Sequence, residues 1–359
     1  MTRSKAWVWT LPKFKRGEVD RAGLALLSAV SKQDREASLG VVDNWRSSHN
    51  YPLHSLTMSL RARARSVDQD ALIAQRLKRL NSITSKLERE PTMKLSQMQD
   101  IGGCRAVVRD AHCLAALIAK FERARNKCWE FHRKYDYVAH PKTDGYRSVH
   151  LVYRYSSDSS QRALYNKIRI EVQFRSRLQH TWATALETVD TFTRQALKAN
   201  RGEPEWQRFF TLMGHSIALR EGHNAVPGAP YSRAALVEEI AYLASKINVV
   251  ATLQGLTTAV QVTAERSRSH FFLLTLDFGR RKISILPFSK TEAAVASEKY
   301  SELEKAHMGN PDIQTVLVSV GSLDALRLTY PNYYLDTTAF VKLLEEDIED
   351  HAAWPPRAW

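Results

Sequence analysis

Ile168-Arg-Ile-Glu-Val-Gln-Phe-Arg175 alternates apolar and polar residues without a break. A β-strand turns successive side chains to opposite faces, so Ile168, Ile170, Val172 and Phe174 share one face. Arg169, Glu171, Gln173 and Arg175 share the other. The apolar face needs a core beneath it. The polar face sets two cations, a carboxylate and an amide in a row, which suits either solvent or a charged ligand. Working outward, Ser148–Tyr155 alternates too, and Cys104–Arg109 is a short strand, β-branched near its end. A helix around Leu114–Arg125 lies between these two. The pattern turns helical again from Ser176 to about Ala199, where Gly202-Glu203-Pro204 breaks it.

Helices dominate the flanks. Residues 20–70 read helical, with Trp45, Leu53, Leu56 and Leu60 at helical spacing. Ala71–Arg89 reads as one long helix: Leu72, Leu77, Leu80, Ile83 and Leu87 form its stripe, and Pro91 stops it. Residues 205–265 hold two further helical stretches around the turn-rich Asn224–Pro230. A separate unit then begins. His270–Asp277 and Lys282–Pro287 are strands, Thr291–His307 a helix, Ile313–Val320 a strand and Thr338–Glu346 a closing helix. That order is enough for a small α+β domain, with its boundary near 265–270.

The chain has 359 residues, 44% hydrophobic and 25% charged, which excludes a disordered polymer. Its length allows about two domains. Apolar stretches such as Val249–Leu256 are too short to span a bilayer, and MTRSKAWVWTLPKFK has no signal-peptide core. Cys104, Cys113 and Cys128 fit no disulfide framework. A soluble, cytoplasmic protein without a membrane partner is the expectation. Residues 221–359 hold 13 Lys and Arg against 17 Asp and Glu, a net −4, which leaves +18 on residues 1–220 of the total of +14. So positive a field concentrates polyanions, although a basic enzyme of nucleotides would also show it.

Four stretches carry chemistry. The polar row on 169–175 is the first. The second is Lys134–His150, KYDYVAHPKTDGYRSVH: a turn at Pro141 and Asp144-Gly145 presents Lys142 and Tyr146, and His150 follows on the next strand. An aromatic beside Lys, Arg and His suits base stacking with phosphate contact. In the third, Gln99–Arg105, Asp100 precedes a glycine pair and could hold a divalent metal near Arg105. The fourth is Arg76, Lys78, Arg79, Ser82 and Lys86. On one helix, Lys78, Ser82 and Lys86 would share a face that is either solvated or clamps a triphosphate.

Together these stretches resemble, in order and spacing, the synthetase domain of the RelA/SpoT family of pyrophosphokinases. The resemblance runs from about Arg61 to Glu187. It covers Arg76, Lys78, Ser82 and Lys86; Asp-Ile-x-Gly-x-Arg from Asp100 to Arg105; Asp-Tyr-x-x-x-Pro-Lys-x-x-Gly-Tyr-x-Ser-x-His from Asp136 to His150; and Glu171, Gln173 and Arg175 with the later His180. It implies an α+β fold: a mixed β-sheet flanked by helices. It also implies transfer of the β,γ-pyrophosphate of ATP to a ribose hydroxyl, with release of AMP. Asp100 and Glu171 match the carboxylates that hold Mg²⁺, and Glu171 also assists deprotonation of the attacking hydroxyl. Arg76, Lys78, Ser82, Lys86 and Arg105 match the ATP-binding set. Lys142, Tyr146, His150, Gln173 and Arg175 match the acceptor-binding set. No His-Asp dipeptide occurs, so the hydrolase of the long bifunctional members is not expected here.

Three readings stay open. The acceptor is the 3′ end of tRNA, which blocks translation, or it is GDP or GTP, which yields an alarmone; a catalytically degenerate RNA-binding module is the third. The positive charge of residues 1–220 favours tRNA. The tail adds a second resemblance: Tyr330-Pro-Asn-Tyr333-Tyr334 is similar to a segment of the CapRel proteins, fused toxin–antitoxin members that act in phage defence. That likeness implies a transferase (toxin) at residues 1–265 and a pseudo-zinc-finger-like regulatory (antitoxin) domain at 270–359. There Tyr330 and Tyr333 would cover the ATP site until a phage structural protein, such as a capsid protein, releases them. No Cys follows Cys128, so a cysteine-based zinc site in the tail is excluded.

Overall fold

The computed structural model describes residues 9–28, 31–124, 127–193, 203–258, 261–264, 271–277, 280, 282–307, 310, 312–319 and 337–349. Three helices open the chain: α1 (Arg16–Ser28), α2 (Lys32–Ser48) and α3 (Asn50–Arg65). Then come β1 (Leu72–Leu77), α4 (Leu80–Arg89), β2 (Gly102–Val108), α5 (Ala111–Glu122), β3 (Trp129–Asp136), β4 (Val149–Tyr155) and β5 (Arg169–Ser176). Four helices follow: α6 (Arg177–Thr193), α7 (Pro204–Glu221), α8 (Arg233–Lys246) and α9 (Val249–Thr258). The chain continues through β6 (Gln261–Ala264), β7 (Phe271–Asp277), β8 (Lys282–Phe288), α10 (Ala293–Ala306), β9 (Ile313–Ser319) and α11 (Thr338–Glu349).

The strands form one mixed sheet in the order β3-β4-β5-β2-β1-β9-β7-β8-β6. β2 pairs parallel with β5, and β6 with β8; the other ladders are antiparallel. The fold is therefore α+β, as expected. The apolar row of β5 (Ile170, Val172 and Phe174) is fully buried, in a core shared with Leu53, Leu60, Leu114 and Leu117 of α3 and α5. A second core is helical: Phe209, Phe210 and Met213 of α7 meet Leu236 and Ile240 of α8, and α11 adds Phe340 and Leu344.

Register explains the site. Opposed residues on neighbouring strands project to the same face. Ala74 faces Arg105, Arg105 faces Gln173, Gln173 faces His150, and His150 faces Tyr135. Two residues along, Arg76, Gly103, Glu171, Val152 and Arg133 form the parallel row on the same face. Five strands thus line up polar side chains on the face opposite the core.

Residues 71–89 are not one helix. The stretch divides into β1 and α4, so Arg76 is on a strand, Lys78 is in the connection, and Ser82 and Lys86 are on the helix. Ile73 and Leu77 keep a strand's period, but a buried Gln75 stands between them and hides it. The break at Arg79 carries no capping signal, because its side chain makes no cap hydrogen bond. β3 is unread from the sequence except for Lys134–Asp136, which fall in the loop stretch: among the described residues it is an edge strand pairing with β4, and Glu130, Phe131, Arg133 and Lys134 are exposed. Residues 204–258 hold three helices rather than two.

Candidate active site

The 141–147 loop is fixed by backbone contact. Gly145 has φ +82°, a conformation that side chains resist. Gly214 on α7 lies so close that a Cβ there would sit 2.4 Å from the Gly145 carbonyl oxygen. Asp144 Oδ1 accepts from the Tyr146 N–H at 2.8 Å, closing the turn, and Tyr146 meets Trp182 of α6 edge-on at 6.2 Å. The tyrosine is thereby aimed into a cavity of about 820 Å³ over the polar face of the sheet.

One wall of this cavity is an aromatic and cationic cluster. The Tyr146 hydroxyl lies 2.8 Å from His150 Nε2 and accepts from Arg175 at 2.8 Å. The His150 Nδ1 lies 3.0 Å from Glu171 Oε1, and Gln173 donates to Glu171 Oε2 at 2.7 Å. Burial alone would lower the His150 pKa, but Tyr146 and Glu171 outweigh it and raise it to about 9. These neighbours thus favour the charged form of His150. Burial raises the Tyr146 hydroxyl, and Arg175 with His150 overcome this to push it down. The Lys142 ammonium lies 4.3 Å from the ring centre of Tyr137 and 5.2 Å from that of Tyr146.

The opposite wall is built from β1, α4 and the segment before β2. Lys78 donates to Asp100 Oδ2 at 2.6 Å and Lys86 to Oδ1 at 3.2 Å. Burial would raise this carboxyl, yet the two ammonium groups hold it at about 2. For Glu171, burial is likewise outweighed by His150, so its pKa is lowered. Arg76, Arg105, Asp100 and Glu171 line both the large cavity and a small one of about 80 Å³, which Lys78 also lines.

Among the described residues no group of three or more His, Cys, Asp and Glu is placed to hold a metal by itself. Two ionised carboxylates on one cavity still fit Mg²⁺, which typically takes one or two protein carboxylates and completes its shell with phosphate oxygens and water. Asp100 and Glu171 are those groups.

Of the residues read from the sequence, Arg76, Lys86, Asp100, Arg105, Lys142, Tyr146, His150, Glu171, Gln173 and Arg175 line the large cavity. Ser82 stands one turn before Lys86 on α4, outside both cavity linings. Tyr330 and Tyr333 lie outside the described residues. Tyr137, Trp182 and Arg133 also line the cavity, and nothing in their sequence context marks them for it. Tyr137 lies within the Asp136–His150 motif, and its alternation with Tyr135 and Arg133 is the one signal for the strand before it.

Residues 75–190 match the family model for a "Region found in RelA / SpoT proteins". No curated protein sequence matches the chain. Among solved structures, a GTP pyrophosphokinase family protein from Streptococcus pneumoniae is 20% identical, with 48% of this chain and 86% of that chain covered and a TM-score of 0.41. The small alarmone synthetase 1 from Bacillus subtilis is 20% identical over 48% of this chain and 88% of its own, with a TM-score of 0.40. The same enzyme bound to its product pppGpp is 21% identical, covering 48% and 90%, with a TM-score of 0.39. Residues 75–190 thus carry the region shared by the RelA/SpoT proteins, a pyrophosphokinase domain.

Proposed function

We propose that residues 1–265 move the β,γ-pyrophosphate of ATP to the 3′ end of tRNA, and that residues 270–359 restrain this activity until a phage structural protein binds them. The observation that carries the transfer reading is the division of the cavity. Arg76, Lys86 and Asp100 line it on the β1–α4 side, with Lys78 bonded to Asp100 from the small cavity beside it. Lys142, Tyr146 and His150 line it on the β4 side, and Glu171 of β5 lies between, bonded to His150.

The donor wall receives the triphosphate. Lys78 and Lys86 exchange their hold on Asp100 for phosphate oxygens, with Arg76 and Arg105 beside them. Asp100 and Glu171 would hold Mg²⁺, which would supply charge compensation on the transferring group. On the acceptor wall a base stacks on Tyr146, taking the place of the Lys142 ammonium, which then contacts phosphate. The acceptor hydroxyl oxygen bonds to the β-phosphorus, the bond from that phosphorus to the α–β bridging oxygen breaks, and AMP leaves with the electron pair. The hydroxyl proton passes to the Glu171 carboxylate. His150, as an imidazolium, holds that carboxylate in place.

The test incubates the full chain and its Tyr330→Ala/Tyr333→Ala variant with γ-labelled ATP and either deacylated tRNA or GDP. Label on tRNA supports the reading. Efficient labelling of GDP with inert tRNA puts the alarmone reading first. No labelled product, with tRNA still bound and toxicity of the tyrosine variant ruled out, puts the RNA-binding module first.

A further inference from the structure

We propose that Glu304, on α10, is a positioning residue for the ATP half of the site, acting on it through the N-terminus of α4. This rests on the assignment of Arg76, Lys78 and Lys86 to the donor wall.

The first turn of any helix leaves backbone N–H groups without intrahelical partners, and a carboxylate there is favoured both as acceptor and by the helix dipole. α4 has no such group of its own. Its N-cap is Arg79, whose side chain makes no cap bond, and its first turn contains no acidic residue. Glu304, 224 positions away in sequence, fills the role: its Oε1 accepts from the Leu80 N–H at 2.6 Å. The same oxygen accepts from Tyr300 at 3.1 Å, while Oε2 pairs with Arg46 of α2. Arg46 is 1% exposed and also bonds Asp43 at 3.0 Å. The carboxylate is thus held from three sides and cannot swing away cheaply.

Two further contacts fall on the same short stretch. β9 pairs with β1 at Gln75 and Arg76, and Gln314 of β9 accepts from Arg79. Arg76 through Lys86 is the stretch that carries the donor-wall cations. Its strand edge, its connection and its helix start are therefore all held by residues 304–319. Lys86 is two turns along α4 from Leu80, so a shift of the helix start moves its ammonium relative to Asp100.

Charge-balanced double variants isolate this cap, because removing Glu304 alone would take one of two carboxylates from the buried Arg46. Arg46→Met/Glu304→Gln keeps an acceptor for Leu80; Arg46→Met/Glu304→Leu removes it. Pyrophosphate transfer is measured in whichever full-length form the labelling test above shows to be active, with ATP and acceptor varied in turn. The glutamine pair should stay within about twofold of the parent in ATP KM, and the leucine pair should raise ATP KM about tenfold, a cap's usual worth. Acceptor KM should not move. Equal ATP KM for the two pairs, or an equal rise in acceptor KM, overturns the proposal. If neither pair folds, Gln314→Ala decides: a higher ATP KM alone supports the grip, and an unchanged one overturns it. Lys86→Ala is the control. If it leaves ATP KM unchanged, the donor-wall assignment fails instead.

Discussion

Asp100 and Glu171 define what single side chains contribute. Asp100→Asn or Glu171→Gln should lower transfer by orders of magnitude in the folded protein, since charge develops on the transferring group and these carboxylates are its proposed cation site. Near-normal turnover in either variant would sink the assignment. Asp100 also has a pH signature. Its folded pKa is depressed from 3.8 to about 2, so its contribution is present above about pH 4 and disappears as pH falls through 2. Thermal melts across pH 2–5 should show a shallower acid decline for Asp100→Asn than for the parent. Tyr146→Ala belongs at this scale as well. Loss of a stacked base costs about 1–3 kcal/mol, so acceptor KM should rise roughly 5- to 150-fold with ATP KM little changed. A collapse of ATP affinity instead would reverse the two walls.

At the scale of elements, α7 matters because it carries Gly214. A methyl there meets the Gly145 backbone, which has no flexible end to yield. Gly214→Ala should cost about 1–3 kcal/mol by chemical denaturation and raise acceptor KM more than ATP KM, because the loop bearing Tyr146 is displaced. Unchanged stability would mean that α7 slides to make room. The elements also show what a reader of the sequence could see. β5 was legible because its apolar and polar faces alternate without exception. β1 was not, because Gln75 is buried by its place in the sheet rather than by its chemistry, and α4 starts where no capping residue stands. The cap comes from Glu304, which no local window contains. Tyr146 and His150 could be picked out as a pair, but the chain from Arg175 through Tyr146 and His150 to Glu171 required the register of β4 on β5.

For the whole molecule, charge and connectivity bear on restraint. A −4 tail beside a +18 body favours docking, and a tethered domain acts at mM effective concentration when its linker is short. α11 is bound firmly to the other half: Phe340 packs on Phe209 and Phe210, and Arg220 bonds the buried Asp347 at 2.8 Å. The restraint is therefore best tested by point changes in the intact chain. Growth of cells expressing Tyr330→Ala/Tyr333→Ala is the measurement. If these tyrosines anchor the inhibitor, their loss should make the chain toxic without a trigger. If they sense the trigger, the variant should be harmless and also fail to respond to phage. A variant that is harmless yet responds normally would remove both roles.

The ladder between β1 and β9 has further weight. It holds Gln75 against Ser319 and Arg76 against Val318, while β7 and β9 pair along their whole length. Among the described residues this is the shortest ladder in the sheet, and parting it would bare the backbone of β1 on one side and β9 on the other. Bare strand edges recruit other strands. A molecule pulled apart along this seam would aggregate unless the agent that opened it also supplied an extended segment to lie along one of the two edges.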